Sequence, residues 1–207
     1  MGSQEVEIRA VFKEDPDYYR VPARKDPNAV ARIYLCSKTN PFPKVSHVFI
    51  YVENLTDNPI KVGQITLEKD QGVSMGAFGL QRSDGWGVYY NTESYRFRQA
   101  DYDSIRALVR ELKPAQLNKL NDYLISHNHW DLFINCVFFA VNAWNSCTGS
   151  FILPIFIPIF TRIIININPN RVLLPAMYVP PRDQVYYVVG IGKNQRLVIC
   201  SDKSVER

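Results

Sequence analysis

Between Ala31 and Tyr90 the chain is a succession of short apolar runs broken by turn clusters, with no stretch long enough to cross over a sheet. Ala31 to Cys36, the run opened by Ser46-His47, Lys61 to Leu67, Gly72 to Gly79 and Gly85 to Tyr90 read as strands, and Tyr95 to Phe97 adds more strand material. Asn40-Pro41-Phe42-Pro43 and Asn54-Leu55-Thr56-Asp57-Asn58-Pro59 punctuate them, because residues before proline avoid the helical region and proline cannot sit in a central ladder. Parallel strands need connections of a dozen or more residues, so a sheet built from these runs is antiparallel.

Helical periodicity follows. Asp103 is placed to cap a helix over Ser104 to Leu112, with Ile105, Leu108, Val109 and Leu112 on one face. Pro114 opens a second helix carrying Leu117, Leu120 and Leu124 to about Ser126, and Asn135 is a favoured N-cap for a third. Phe151 to Ile167 approaches the length of a membrane span, yet Pro154 and Pro158 interrupt it and Arg162 charges it, so it is expected to be irregular or helical core followed by a buried strand. Gln184 to Val189 and Arg196 to Cys200 flank Gly190-Ile191-Gly192-Lys193-Asn194, a hairpin signal. Strands, then helices, then a hairpin predict an α+β fold. With 207 residues, 46% of them hydrophobic, the chain can bury a core without disulfide staples or metal, which predicts a single domain over 1–207: an N-terminal surface segment, 1–30, and a core, 31–207.

Of the four cysteines, Cys36 ends a strand, Cys147 sits at a helix end and Cys200 lies in the apolar run Leu197-Val198-Ile199. Cys136 alone falls in a first helical turn, where unpaired N–H groups and the helix dipole favour a negatively charged sulfur. Helix N-termini and imidazolium neighbours lower a thiol pKa from about 8.5 to roughly 3.5–7.5. One histidine, His47, opens an upstream strand and can hold such a pair as thiolate and imidazolium, then deliver its proton to a leaving group. The competing reading makes Cys136 a small packed hydrophobe.

Ser46-His47-Val48-Phe49-Ile50-Tyr51-Val52, Lys61 to Leu67, Gly72 to Gly79 and Trp130-Asp131-Leu132-Phe133-Ile134-Asn135-Cys136 resemble the circularly permuted NlpC/P60 proteins, a branch of the papain-like thiol hydrolases. The resemblance spans roughly Val45 to Asn145, with His-x-Phe-Ile and Asn-Cys-x-x-Phe-Ala at its centre, and presents histidine before cysteine as the permuted branch does. It implies a papain-like antiparallel sheet packed against the helix carrying the cysteine. It also implies cleavage of an amide bond, in cell-wall peptidoglycan peptides, through Cys136, His47 and an acyl-enzyme. In that family a polar residue on the strand after the histidine orients the imidazole; Gln64 matches, with Ser74 as the alternate, and Gln64 reads equally as an exposed polar residue of an alternating strand. The Cys136 N–H is the expected oxyanion donor, and capping is the expected role of Asn135. Some permuted relatives are lipid acyltransferases or thioesterases using the same pair, and a non-catalytic binding module is the remaining alternative.

The net charge of +4 is spread along the chain, and its nearest clusters, Arg20 to Lys25 and Lys193 to Arg196, carry no interleaved aromatics, so no nucleic acid partner is expected. The expected partner is a peptide or cell-wall substrate; membrane contact through Phe151 to Ile167 is the minority reading. His127-Asn128-His129 has only Asp131 nearby as a third ligand and reads as a helix end, and no metal or organic cofactor is implied. The N-terminus lacks the basic and apolar regions of a secretory signal, and Met1-Gly2-Ser3 resembles the start of a recombinant chain from which a leader has been removed; the resemblance, to a family that works largely on cell walls, implies a secreted or cell-envelope protein.

Overall fold

In a computed structural model the structure describes residues 24–38, 47–79, 85–96, 105–128, 135–155, 157–169, 171–174 and 177–201. Strands β1 (Ala31–Lys38) and β2 (His47–Asn54) pair along their whole length, Ala31 opposite Asn54 and Lys38 opposite His47. Strands β5 (Gly72–Phe78) and β6 (Gly87–Tyr90) extend the sheet on one side, and β7 (Ile105–Leu112) with β8 (Arg171–Leu173) extends it on the other. The hairpin β9 (Tyr186–Val189) and β10 (Arg196–Ile199) adds to β6. The result is an eight-stranded sheet in the order β10-β9-β6-β5-β2-β1-β7-β8, with every neighbouring pair antiparallel. The fold is therefore α+β around a large antiparallel sheet.

Both faces of this sheet are covered. On one, Ile33, Leu35, Val48, Ile50, Val73 and Met75 pack against helices α2 (Pro114–Ser126) and α3 (Cys136–Thr148). On the other, Tyr34, Cys36, Phe49, Tyr51, Ile105 and Ala107 pack against Leu174 and Met177, where the Tyr178 backbone N–H donates to Tyr51 Oη at 2.8 Å. A strand apolar on both faces loses simple alternation. That is why Ile105-Arg106-Ala107-Leu108-Val109-Arg110-Glu111-Leu112 is β7 and not the expected helix over Ser104 to Leu112: Leu108 and Leu112 enter one core, Ile105 and Ala107 the other. The capping role expected of Asp103 lies outside the described residues.

Two further expectations are corrected. Lys61 to Leu67 is not one strand but a small hairpin, β3 (Ile60–Val62) and β4 (Ile65–Leu67), because Gly63 takes φ +59° at the first turn position. Tyr95 belongs not to a strand but to the short helix α1 (Thr92–Arg96), entered through Asn91 at φ +64°. Asn is among the few residues that tolerate this region.

Helix α3 carries the cysteine. The Asn135 side chain accepts the Val137 N–H at 2.9 Å, and Gly149 closes the far end at φ +69°. Val137, Phe139, Ala140, Val141, Ala143, Trp144 and Cys147 are all buried, so packing on two faces fixes the helix on the sheet. Burying each large apolar side chain contributes about 1.5–3 kcal/mol. Beyond it, the Asn145 amide bonds both the N–H and the carbonyl of Ile152, at 2.9 and 2.8 Å, and turns the chain towards α4 (Pro158–Ile167).

Candidate active site

His47 is the first residue of β2, and alternation places it on the face of Phe49 and Tyr51, away from α3. Its ring stacks on Phe78 of β5, centroids 4.4 Å apart, and lies 5.9 Å from the Phe49 ring. At the end of the strand the Cys136 side chain meets it. Sulfur and imidazole lie close enough to shift each other's titration, and the backbone N–H groups of Val48 and Val137 also favour the charged sulfur. The helix start and the strand start are thereby joined at one point, as an N-capped Cys136 and a strand-opening His47 require.

Behind the imidazole stands a carboxylate. His47 Nε2 lies 2.8 Å from Glu93 Oε1, which leaves Nδ1 as the ring nitrogen for the sulfur. Glu93 is 1% exposed, in the first turn of α1, and its other oxygen accepts the Ser74 hydroxyl at 3.0 Å. Ser74 Oγ in turn accepts the Ser94 N–H at 3.1 Å, and the Ser74 carbonyl accepts the Asn91 N–H at 2.8 Å. The bend at Asn91 and the hydroxyl of β5 therefore aim Glu93 at the ring. Gly76 makes room: a Cβ there would overlap Glu93 Oε1 and stand 2.8 Å from His47 Nε2.

Burial alone would push the Cys136 thiol up; its hydrogen bond to His47, the imidazolium charge and the Val48 and Val137 N–H groups outweigh it and bring the thiol below its ordinary value. Burial alone would push His47 down, and the hydrogen bonds to Cys136 and Glu93, with their charges, push it up to about 9. The two shifts widen the pH range in which thiolate and imidazolium coexist. Cys147 and Cys36 go the opposite way, since burial raises Cys147 to about 12 and Cys36 well above its ordinary value. No disulfide joins any of the four.

Of the residues singled out from sequence, Cys136 and His47 come together, and Ser74 reaches His47 only through Glu93, two hydrogen bonds away. Gln64 does not join them. It sits in the β3–β4 turn, where its amide donates to the Gln195 carbonyl at 2.7 Å and side-chain oxygen at 3.1 Å, lining a shallow cavity of about 540 Å³ with Lys61, Gly63, Ile125, Gly192, Lys193 and Gln195. The orienting role assigned to Gln64 passes to Glu93, and Ser74 positions that carboxylate instead of the ring. Sequence reasoning missed Glu93 and Gly76. The only local signal was an acid among small polar residues, Asn91-Thr92-Glu93-Ser94, directly after an apolar strand.

His127 stacks on Tyr123 at 4.1 Å, and among the described residues no cluster of three metal-ligating side chains exists; His129 and Asp131 lie outside them. No described helix is long and apolar enough to cross a membrane. Comparison with known proteins found no matching family model, no similar curated protein and no similar solved structure.

Proposed function

We propose that this chain is a cysteine hydrolase of the papain-like, circularly permuted NlpC/P60 kind, acting on an amide bond of cell-wall peptides. One observation carries the reading: a half-buried thiol, an imidazole and a buried carboxylate stand in series, with the thiol lowered and the imidazole raised. A packed structural cysteine has no need of such a relay, and Cys36 and Cys147 show what burial does without one. The substrate class rests on the family resemblance of the His47 and Cys136 motifs.

In the proposed reaction the Cys136 thiolate attacks the scissile carbonyl carbon, and the oxyanion is held at the start of α3, where N–H groups and the helix dipole converge. The imidazolium of His47 gives its proton to the departing amine nitrogen as the C–N bond breaks, leaving a thioester on Cys136. Water then attacks the thioester carbon, losing a proton to His47, and the acid departs as the thiolate returns. Glu93 holds the ring angle and stabilises the imidazolium between the two steps.

The test is incubation with stem-peptide fragments of peptidoglycan, followed by mass spectrometry of intact protein and products. Release of an amine, with an acyl adduct on Cys136 that is absent in Cys136→Ala, is expected. No turnover of any peptide amide and no adduct would refute it.

A further inference from the structure

Helix α4 is built inside out. Its buried residues are Thr161 and Ile165, while Ile159, Phe160, Ile163 and Ile167 are 47, 42, 47 and 76% exposed. At 3.6 residues per turn the four exposed apolar side chains fall within an arc of roughly 100°, opposite the buried pair. Phe151, 80% exposed, and Ile157, 39% exposed, are further solvent-facing apolar residues in the segment before the helix. Monomeric soluble proteins rarely expose contiguous apolar surface of this kind without a use for it. The expectation that Phe151 to Ile167 is core is corrected accordingly: a helix forms, followed by the short strand β8, but most of its apolar surface faces out.

Charge says what faces the patch. From Leu132 to Arg182 the chain holds no Asp or Glu, and its only charged residues are Arg162, Arg171 and Arg182. The strands under α4 add to the same sign. Register sets Arg106 opposite Leu173 and Leu108 opposite Arg171, and alternation puts Arg106, Leu108 and Arg110 on the face that α4 covers. Arg162 Nη1 donates to the Ser37 carbonyl at 2.7 Å, and Arg171 donates to the Asn166 carbonyl at the end of α4. The acids of these strands, Glu53 and Glu111, turn to the opposite face, where they meet Arg32 at 3.6 and 3.3 Å. The α4 face is thus an apolar patch set among four arginines. A two-fold contact between copies through it would bring two positive rims together, which opposes self-association.

We propose that α4 is an interfacial helix that docks the protein on an anionic lipid surface, with Phe160, Ile163 and Ile167 entering the acyl boundary and Arg171 and its neighbours meeting lipid phosphates. Ten residues are too few to span a bilayer but suit a helix lying in its plane. This docking is independent of thiol chemistry and stands or falls without it.

The test is sedimentation of the full chain with phosphatidylcholine vesicles and with mixed phosphatidylcholine and phosphatidylglycerol vesicles, at low and high salt. Binding to the mixed vesicles is expected, with an affinity at least about tenfold above that for pure phosphatidylcholine and falling with salt. Ile163→Asp and Phe160→Asp should each lower it by about tenfold or more, Arg171→Gln by about fivefold, and Ile199→Asp, 56% exposed on the distant strand β10, not at all. Unchanged thermal unfolding of each variant shows that the fold survives. Equal affinity for both vesicles, no binding to either, or binding indifferent to Ile163→Asp would overturn the proposal. So would a lipid-free dimer that Ile163→Asp dissociates, which assigns the face to a second copy.

Discussion

Gly76→Ala adds one methyl group where the structure has no room for it. The new Cβ would overlap Glu93 Oε1 and sit 2.8 Å from His47 Nε2. The carboxylate has nowhere to swing, since Glu93 is 1% exposed and held by Ser74 Oγ at 3.0 Å as well as by the imidazole. Either β5 shifts, at an overpacking cost of about 1–3 kcal/mol, or the carboxylate leaves the ring and a charged hydrogen bond worth about 1.5–3 kcal/mol is lost. For a chain of this size each 1 kcal/mol moves Tm by about 2–4 °C, so a drop of roughly 2–12 °C is expected in a thermal melt. Stability alone does not separate a site effect from crowding, and Gly72→Ala supplies the control. Gly72 lies on the same strand, β5, but its Cβ would overlap the buried Tyr51 phenol of β2, away from the thiol, so Gly72→Ala should melt lower while Cys136 alkylates normally. Gly76→Ala should melt lower and also lose imidazole-assisted reactivity, read as a slower alkylation of Cys136 at neutral pH. Retained alkylation in Gly76→Ala, with Tm reduced as in Gly72→Ala, would refute the view that this glycine exists to let Glu93 reach His47.

Glu93→Gln should bring the His47 titration, followed by NMR of the imidazole, down from about 9 towards the ordinary ~6.5, and weaken neutral-pH alkylation of Cys136. Because the folded imidazole titrates above its unfolded value, its stabilising contribution is complete below pH ~6.5 and fades as pH rises through about 9. The stability advantage of the parent over Glu93→Gln should therefore be widest near pH 6 and shrink in alkaline denaturant titrations; an advantage that grows with pH would contradict the pairing. Gln64→Ala removes both bonds to Gln195 and should cost about 1–2 kcal/mol in urea unfolding, with Cys136 reactivity unchanged. A large loss of reactivity there would return the orienting role to Gln64.

What could be read from the sequence was what local chemistry fixes. Asn135 is a cap wherever its helix lies, so the placement of Cys136 in a first turn followed from adjacent residues. The hairpin around Gly190 to Asn194 followed in the same way. What was misread depended on distant partners. The residues of β7 satisfy a helical period as well as a strand apolar on both faces, and only the second core behind the sheet, with Leu174 and Met177, decides between them. Glu93 reaches His47 across a separation of 46 residues through a bend at Asn91 that no periodicity announces. The Gln64 assignment failed because Gly63 turns the chain just where a continuous strand was assumed. The outward face of α4 could not be told from a core stripe, since both are written in the same isoleucines.

The account stands on the imidazole of His47 setting the charge of the Cys136 sulfur, and the pH dependence of Cys136 alkylation, located by peptide mass in the parent and in His47→Ala, tests it most directly. In the parent the His47 imidazole, with the Val48 and Val137 N–H groups, should hold the apparent thiol pKa below its ordinary value despite burial. Without His47 burial acts with less opposition and the thiol pKa rises, so a smaller fraction of the sulfur is ionised at pH 7 and the alkylation rate there should fall. Superimposable profiles for the two proteins would contradict the account.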